Sequence, residues 1–456
     1  MTLTAFKAYD IRGKFPEELD ESLAYEIGLA YAAFLKPCTV VVGRDIRPSS
    51  RILAEALIRG LTDSGVDVAD IGLCGTEGVY FTVGCGDPAW GSFDGGIMVT
   101  ASHNPPNYNG MKLVREQARP ISADTGLRDI ARIIGTKAFD STVSARKGNR
   151  RELDIRQSFT RYLLGYVERS RLKPLKVVVN AGNGGAGLVL DLLEPHLPIE
   201  FIKVHHEPDG TFPNGVPNPM IEENRAPTAK AIVQHGADLG LAWDGDFDRC
   251  FFFDHEGRFI EGYYLVGLLA SVVLKTQPGA KIVHDPRLVW NTIDIVQQHG
   301  GTPVLCRSGH AFIKQKMREV NAAYGGEMSA HHYFRNFAYC DSGMVPWLQM
   351  LETLSASGRT LAELIEDRIA KFPCSGEINL EVPDVAGAIA RVERQYASIA
   401  RNCDRTDGLS LEFDEWRFNL RGSNTEPLLR LNVETRGDRA LMLERTEELL
   451  CVASER

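Results

Sequence analysis

A chain of 456 residues has room for two to four domains, and an apolar content of 44% is ordinary for globular protein with sizeable cores. A formal net charge of −9 argues against a nucleic-acid binder but leaves room for an anionic substrate in a local cationic pocket. The nine cysteines are scattered and form no C-x-x-C pair, which points to reduced thiols and not to a disulfide scaffold or a zinc site. The first 20 residues carry no apolar leader core, and no run of 18 apolar residues occurs, so a cytoplasmic protein with no membrane partner is expected.

Taken along the chain, apolar β-branched runs end again and again in loops rich in glycine and charge. Residues 38–42 lead to Gly43-Arg44-Asp45, and residues 96–99 lead to Thr100-Ala101-Ser102-His103-Asn104-Pro105. Residues 176–179 lead to Asn180-Ala181-Gly182-Asn183-Gly184-Gly185. Residues 280–283 lead to His284-Asp285-Pro286-Arg287, and residues 303–305 to Ser308-Gly309-His310. Helical patterns lie between them, as at 50–65, where Ile52, Leu53, Ala56, Leu57 and Leu61 recur at helical spacing. Alternating strand and helix predicts α/β layers with mixed, largely parallel sheets, whose ligands bind outside the carboxyl ends of the strands. The pattern recurs three times over about 370 residues. From about Phe372 it changes: residues 377–382 and 416–420 read as antiparallel strands, residues 385–399 and 438–452 as helices, giving an α+β domain. The expected domains are 1–150, 151–254, 255–370 and 371–456, with the charged stretch 144–154 marking the first boundary.

The strand-like run 238–243 ends in Asp244-Gly245-Asp246-Phe247-Asp248-Arg249. Three carboxylates within five residues repel one another unless a cation joins them, and oxygen-only ligands favour a hard ion such as Mg²⁺. A solvated acidic turn is the bland alternative. A calcium loop of EF-hand type fails on spacing, since Arg249 and His255 stand where it needs Gly and Glu. Ser102 lacks the flanking glycines of a nucleophile elbow, so ester hydrolysis fits poorly, and as a lone turn serine it would be a capping group. Phosphorylated, it would carry roughly −1.5 to −2 charge and could complete the shell of a divalent ion.

Arg421-Gly422-Ser423-Asn424-Thr425-Glu426-Pro427 offers a guanidinium, hydroxyls and an amide that suit phosphate oxygens, although a plain polar loop has the same composition. In Gly326-Glu327-Met328-Ser329-Ala330-His331-His332 the carboxylate and hydroxyl suit sugar hydroxyls, and a surface turn is the alternative. Arg12, Lys112, Arg287 and His310 are further cations at strand ends, with a plain surface charge as the alternative for each.

Together these segments resemble the α-D-phosphohexomutase superfamily over the whole chain, with the serine, metal, sugar and phosphate loops in the family's order and spacing. The stretches Phe6-Lys7-Ala8-Tyr9-Asp10-Ile11-Arg12-Gly13 and Gly326 through Arg335 look like its bacterial phosphomannomutase/phosphoglucomutase branch. Two positions depart from the common pattern: Ala330 replaces a frequent Gly, and Arg287 stands where many relatives carry Lys. The resemblance implies three α/β domains and a C-terminal domain around a central cleft. It implies phosphoserine at Ser102, and Mg²⁺ held by Ser102, Asp244, Asp246 and Asp248. Arg12, Lys112, Arg249 and His331 would act at the reaction site. Glu327, Ser329, His310 and Arg287 would contact substrate, and Arg421, Ser423, Asn424 and Thr425 its non-reacting phosphate. The expected reaction moves a phosphoryl group between O1 and O6 of mannose and glucose phosphates, with hexose 1,6-bisphosphate as intermediate and activator. A monomer or weak dimer with a phosphosugar substrate is expected. The rivals are a mannose-only mutase, a metal-dependent sugar phosphatase, and a silent phosphosugar-binding protein. The last would have lost Ser102 or the acids, and both are present.

Overall fold

Each apolar run marked above forms a strand in the structure, a computed structural model that describes residues 3–139, 146–422 and 428–454. Two compact units result, Met1–Phe259 with His331–Gly358, and Ile260–Ala330 with Arg359–Arg456.

In the first unit the leading sheet runs Ile11–Lys14, Tyr108–Arg115, Gly95–Val99, Thr39–Arg44, Asp67–Leu73, Arg150–Glu152. Thr39–Arg44 pairs in parallel with both Asp67–Leu73 and Gly95–Val99, whereas Tyr108–Arg115 pairs antiparallel with Gly95–Val99. The sheet is therefore mixed, and the antiparallel strand sets Lys112 opposite Met98, close to the loop that follows Gly95–Val99. The helix Pro48–Asp63 opens with proline in its first turn, where the missing N–H costs nothing. Leu53, Ala56, Leu57 and Leu61 form its buried stripe, but Ile52 is 41% exposed and lies off that face. The helix Glu21–Leu35 crosses it closely. A Cβ at Gly28 would sit 2.5 Å from the Leu57 carbonyl, and one at Gly60 would sit 2.2 Å from the Tyr25 carbonyl. A second sheet of this unit places Leu239–Trp243 parallel to Leu175–Asn180, itself parallel to Ile199–Val204, with Cys250–Phe253 antiparallel beside Leu239–Trp243. The short hairpin His332–Phe334 with Cys340–Asp341, and the helix Val345–Ser357, complete the unit.

In the second unit Lys281–His284 lies parallel between Thr302–Leu305 and Tyr324–Gly326. The C-terminal sheet is antiparallel throughout, in the order Ile378–Glu381, Leu428–Thr435, Trp416–Gly422, Leu409–Glu412, Asn402–Asp404. Its inner face carries Leu409, Leu411, Phe418, Leu420, Leu431 and Val433, covered by Val385–Tyr396 and Arg439–Ser454. Both helices start on aspartate caps, Asp384 accepting from the Gly387 amide and Asp438 from the Leu441 amide, each at 2.9 Å. The expected α/β class with a C-terminal α+β part is what the chain forms. Among the described residues no helix is long and apolar enough to cross a membrane.

Candidate active site

Ser102 stands just beyond Gly95–Val99 with a left-handed backbone, φ +50°. A residue with a Cβ holds that conformation at a cost of roughly 1–3 kcal/mol, so its surroundings must enforce it. Arg47 does so. Its buried guanidinium donates to the carbonyls of Ser102 (2.8 Å), Asn104 (2.6 Å), Pro105 (2.6 Å) and Tyr108 (3.1 Å), and pairs with Asp45 at 3.2 Å. The Ser102 amide donates to Thr100 Oγ1 at 2.9 Å. The result aims the hydroxyl at Asp244, to whose Oδ2 it donates at 2.8 Å, while His103 Nδ1 lies 3.0 Å from the same hydroxyl.

Asp244, Asp246 and Asp248 follow Leu239–Trp243 on a buried turn, and one oxygen of each lies within 4.8 Å of the others. At an effective dielectric of about 20, such proximity costs about 3 kcal/mol per pair of charges. Lys112 answers part of it: its ammonium donates to Asp246 Oδ2 at 2.8 Å and Asp248 Oδ2 at 2.5 Å. Arg249 Nε donates to Asp244 Oδ2 at 2.9 Å, and Thr76 Oγ1 to Asp246 Oδ2 at 2.6 Å. Three carboxylates against two cations still leave one negative charge. Asp246 Oδ1 and Asp248 Oδ1 are buried with no hydrogen-bond partner among the described residues. Buried carboxylate oxygens left in that state fit a small hard cation. Gly245 lets the two loops meet, since a Cβ there would lie 2.5 Å from the Ser102 carbonyl.

Protonation follows this arrangement. Burial, and then the charge of Asp246, push the Asp248 carboxyl up to about 6. Burial works against the Lys112 ammonium, but Asp246 and Asp248 outweigh it and hold its pKa above the usual lysine range. The His103 imidazole is held well below its usual range by desolvation and then by Arg249 and Arg12, so it is neutral and accepts from Arg249 Nη2. His331 bridges backbone to backbone with Arg249, and its Nδ1 lies 3.0 Å from Asp341 Oδ2 and 3.9 Å from Asp248 Oδ1. Arg12 donates to Asn104 Oδ1 at 2.8 Å and to Asp10 Oδ2 at 2.5 Å. Behind the acidic turn, the buried Glu77 carboxylate accepts from Ser342 Oγ (2.7 Å) and from the amides of Gly343 (2.7 Å) and Met344 (3.1 Å). A Cβ on Gly343 would sit 2.3 Å from the Phe247 carbonyl, so Glu77 secures the segment on which the acidic turn rests.

The second unit gathers its own polar group. Arg287 Nη2 donates to Asp285 Oδ2 at 2.7 Å and to Ser329 Oγ at 3.2 Å, with Glu327 Oε1 at 3.6 Å. Glu327 Oε1 accepts from the Gly309 amide at 2.8 Å, next to His310 at the start of His310–Val320. Arg421 Nη2 and Arg287 Nη1 both donate to Glu377 Oε2, at 3.0 and 3.3 Å, and Arg430 Nη1 lies 3.4 Å from Glu377 Oε1.

Ser102, the three aspartates, Lys112, Arg249, Arg12 and His331 thus come together in the first unit, and Glu327, Ser329, Arg287 and Arg421 in the second. Ser423, Asn424 and Thr425 lie outside the described residues. Arg47, Thr76, Glu77, Asp341 and Glu377 were not singled out from the sequence. Arg47 had a usable signal, lying two residues past the strand-end loop Gly43-Arg44-Asp45; the others carry none until strands from distant segments meet.

Four family models match the chain: the α/β/α domains I, II and III of phosphoglucomutase/phosphomannomutase over residues 3–141, 157–257 and 261–372, and its C-terminal domain over 377–450. The chain is 63% identical over 450 residues to a protein of Xanthomonas campestris pv. campestris described as phosphohexose mutases, covering 98% of this chain and 99% of that one. It is 58% identical over 454 residues to a phosphomannomutase of Salmonella montevideo, covering 98% of each. The crystal structure of a phosphoglucomutase/phosphomannomutase family protein from Burkholderia thailandensis superposes with a TM-score of 0.88 at 32% identity, over 99% of this chain and 98% of that one.

Proposed function

The chain belongs to the phosphoglucomutase/phosphomannomutase family, and on that premise we propose that it interconverts the 1- and 6-phosphates of mannose and glucose with Ser102 as phosphoryl carrier. The observation that carries this reading is the 2.8 Å hydrogen bond from Ser102 Oγ into a buried turn of three aspartates with two unsatisfied oxygens. A serine there, phosphorylated, is a phosphoryl donor whose charge the turn is built to meet through a metal.

In the first half-reaction the phosphoryl group leaves Ser102 Oγ for the free sugar hydroxyl. The serine O–P bond breaks, the sugar O–P bond forms, and the hydroxyl proton passes to a base. The product is hexose 1,6-bisphosphate, which turns end for end. Its other phosphoryl group then returns to Ser102, and the oxygen left on the sugar regains a proton. Lys112, held charged by Asp246 and Asp248, suits stabilisation of the developing charge; His331, oriented by Asp341, suits proton acceptance. Arg249 and Arg12 flank Ser102 and suit its phosphoryl oxygens. Asp244, Asp246, Asp248 and phosphorylated Ser102 would hold Mg²⁺, which would supply neutralisation of charge on the transferring group. Glu327 and Ser329 suit sugar hydroxyls, and Arg421 with Ser423, Asn424 and Thr425 the non-reacting phosphate, with His310 and Arg287 beside them. Four domains with boundaries near residues 150, 254 and 370, a monomer or weak dimer, and a cytoplasmic setting complete the reading. Hexose 1,6-bisphosphate is the activator, because it loads Ser102.

Incubation with mannose 1-phosphate, Mg²⁺ and a trace of bisphosphate tests it. The 6-phosphate should accumulate to equilibrium. Release of inorganic phosphate instead would make the protein a phosphatase and defeat the proposal.

A further inference from the structure

Within the C-terminal sheet, Arg421 and Arg430 stand directly opposite each other on antiparallel neighbours. Like charges so placed repel. Arg287 joins them through Glu377, and all three guanidiniums turn toward that one carboxylate. Glu377 immediately precedes the edge strand Ile378–Glu381, which pairs with Leu428–Thr435, so the backbone fixes the carboxylate over both arginines. Its side chain is only 8% exposed. Burial raises its pKa, but Arg287, Arg421 and Arg430 outweigh burial and keep it ionised. Arg421 Nε, by contrast, is buried with no hydrogen-bond partner among the described residues.

A carboxylate that takes one donor each from Arg421 and Arg287 and pairs with Arg430 competes with any phosphate that binds them. Resting on the reading of Arg421 as the anchor of the substrate's non-reacting phosphate, we propose that Glu377 is a built-in counter-anion that limits how tightly this cluster holds phosphate. The reaction gives such a limit a purpose. A bisphosphate that must turn end for end has to let go of this cluster in every cycle, and three unopposed guanidiniums would retain it.

The two roles of a buried carboxylate separate in sign. A purely structural Glu377 predicts that its replacement scatters the arginines and weakens phosphate binding. A counter-anion predicts the reverse. Glu377→Gln retains an acceptor oxygen and removes the charge, so calorimetric titration with inorganic phosphate at fixed ionic strength should show about tenfold tighter binding. KM for mannose 1-phosphate should fall, and kcat should fall with it as release of the intermediate slows. Glu377→Asp keeps the charge but draws it back by one methylene, and should tighten phosphate binding in the same direction by a smaller factor. It also provides the test if E377Q does not fold. Unchanged or weaker phosphate binding in the folded variant overturns the proposal. Arg421→Ala distinguishes this failure from failure of the underlying reading. If R421A binds phosphate as wild type does, Arg421 is not the anchor. If R421A loses binding while E377Q fails to tighten it, only the counter-anion role falls.

Discussion

At Ser102 a strained backbone, a pinning arginine and a carboxylate acceptor converge on one hydroxyl. Ser102→Ala should leave the fold intact, since a loop hydroxyl adds little to the core, and should lower kcat by at least about 10⁴, in the range lost with other covalent nucleophiles. Intact-mass measurement should find one phosphate on the wild type and none on the variant; near-normal turnover by S102A would falsify the carrier role. Asp246→Asn removes one of three charges from the acidic turn, so Mg²⁺ affinity and rate should fall together, and chelation should silence the wild type. Activity that survives exhaustive chelation would contradict the metal assignment. The pH dependence has a definite sign. Because burial and Asp246 raise the Asp248 carboxyl to about 6, a cation must displace a proton from it below that pH. Mg²⁺ affinity should therefore drop as pH falls from 7 to 5. A flat calorimetric affinity across that window would contradict a ligand role for an Asp248 carboxyl raised in this way.

At the scale of elements, position follows from close approaches that tolerate no extra atom. The helices Glu21–Leu35 and Pro48–Asp63 touch through Gly28 and Gly60, where backbone meets backbone. Gly60→Val should force the pair apart and cost about 1–3 kcal/mol, despite placing an apolar residue in an apolar seam. Thermal unfolding should show a lower Tm, by roughly 2–4 °C for each kcal/mol in a domain of this size. An unchanged Tm would mean that the seam has slack the geometry does not show. Glu77 acts on the same principle from the polar side. Its carboxylate closes on the Ser342 hydroxyl and two amides, and Gly343 then fits under the acidic turn because it has no Cβ.

For the molecule as a whole, sugar preference turns on a single carbon. Mannose and glucose differ only at C2, and the proposed roles of Glu327, Ser329 and Arg421 give no polar group to that position. A site without a C2 hydrogen bond discriminates weakly, so kcat/KM for the two 1-phosphates should differ by far less than about 10⁴-fold. Glu327→Ala should impair both to a similar degree, and a selective loss of one substrate would reveal a reader of O2 near Glu327. Much of this was legible in the chain itself. Asp244, Asp246 and Asp248 alternate within five residues, and Ser102 and Arg421 sit at strand ends, so local sequence carries both their chemistry and their place on the sheet edge. The alternation of apolar runs likewise determined the layers, because a strand needs only its own residues to be recognised. Ile52 was the exception, since helical spacing marks a stripe but not its limits, and packing against neighbouring elements set the edge of that stripe. What supports the site was decided by tertiary structure alone. Arg47 reaches carbonyls 55 and more residues away, Glu77 closes on a turn some 265 residues later, and Glu377 collects arginines from three strand ends. Each is a polar group taken out of water, and its partners are chosen by which distant backbone groups and side chains the fold leaves beside it, not by its neighbours in sequence.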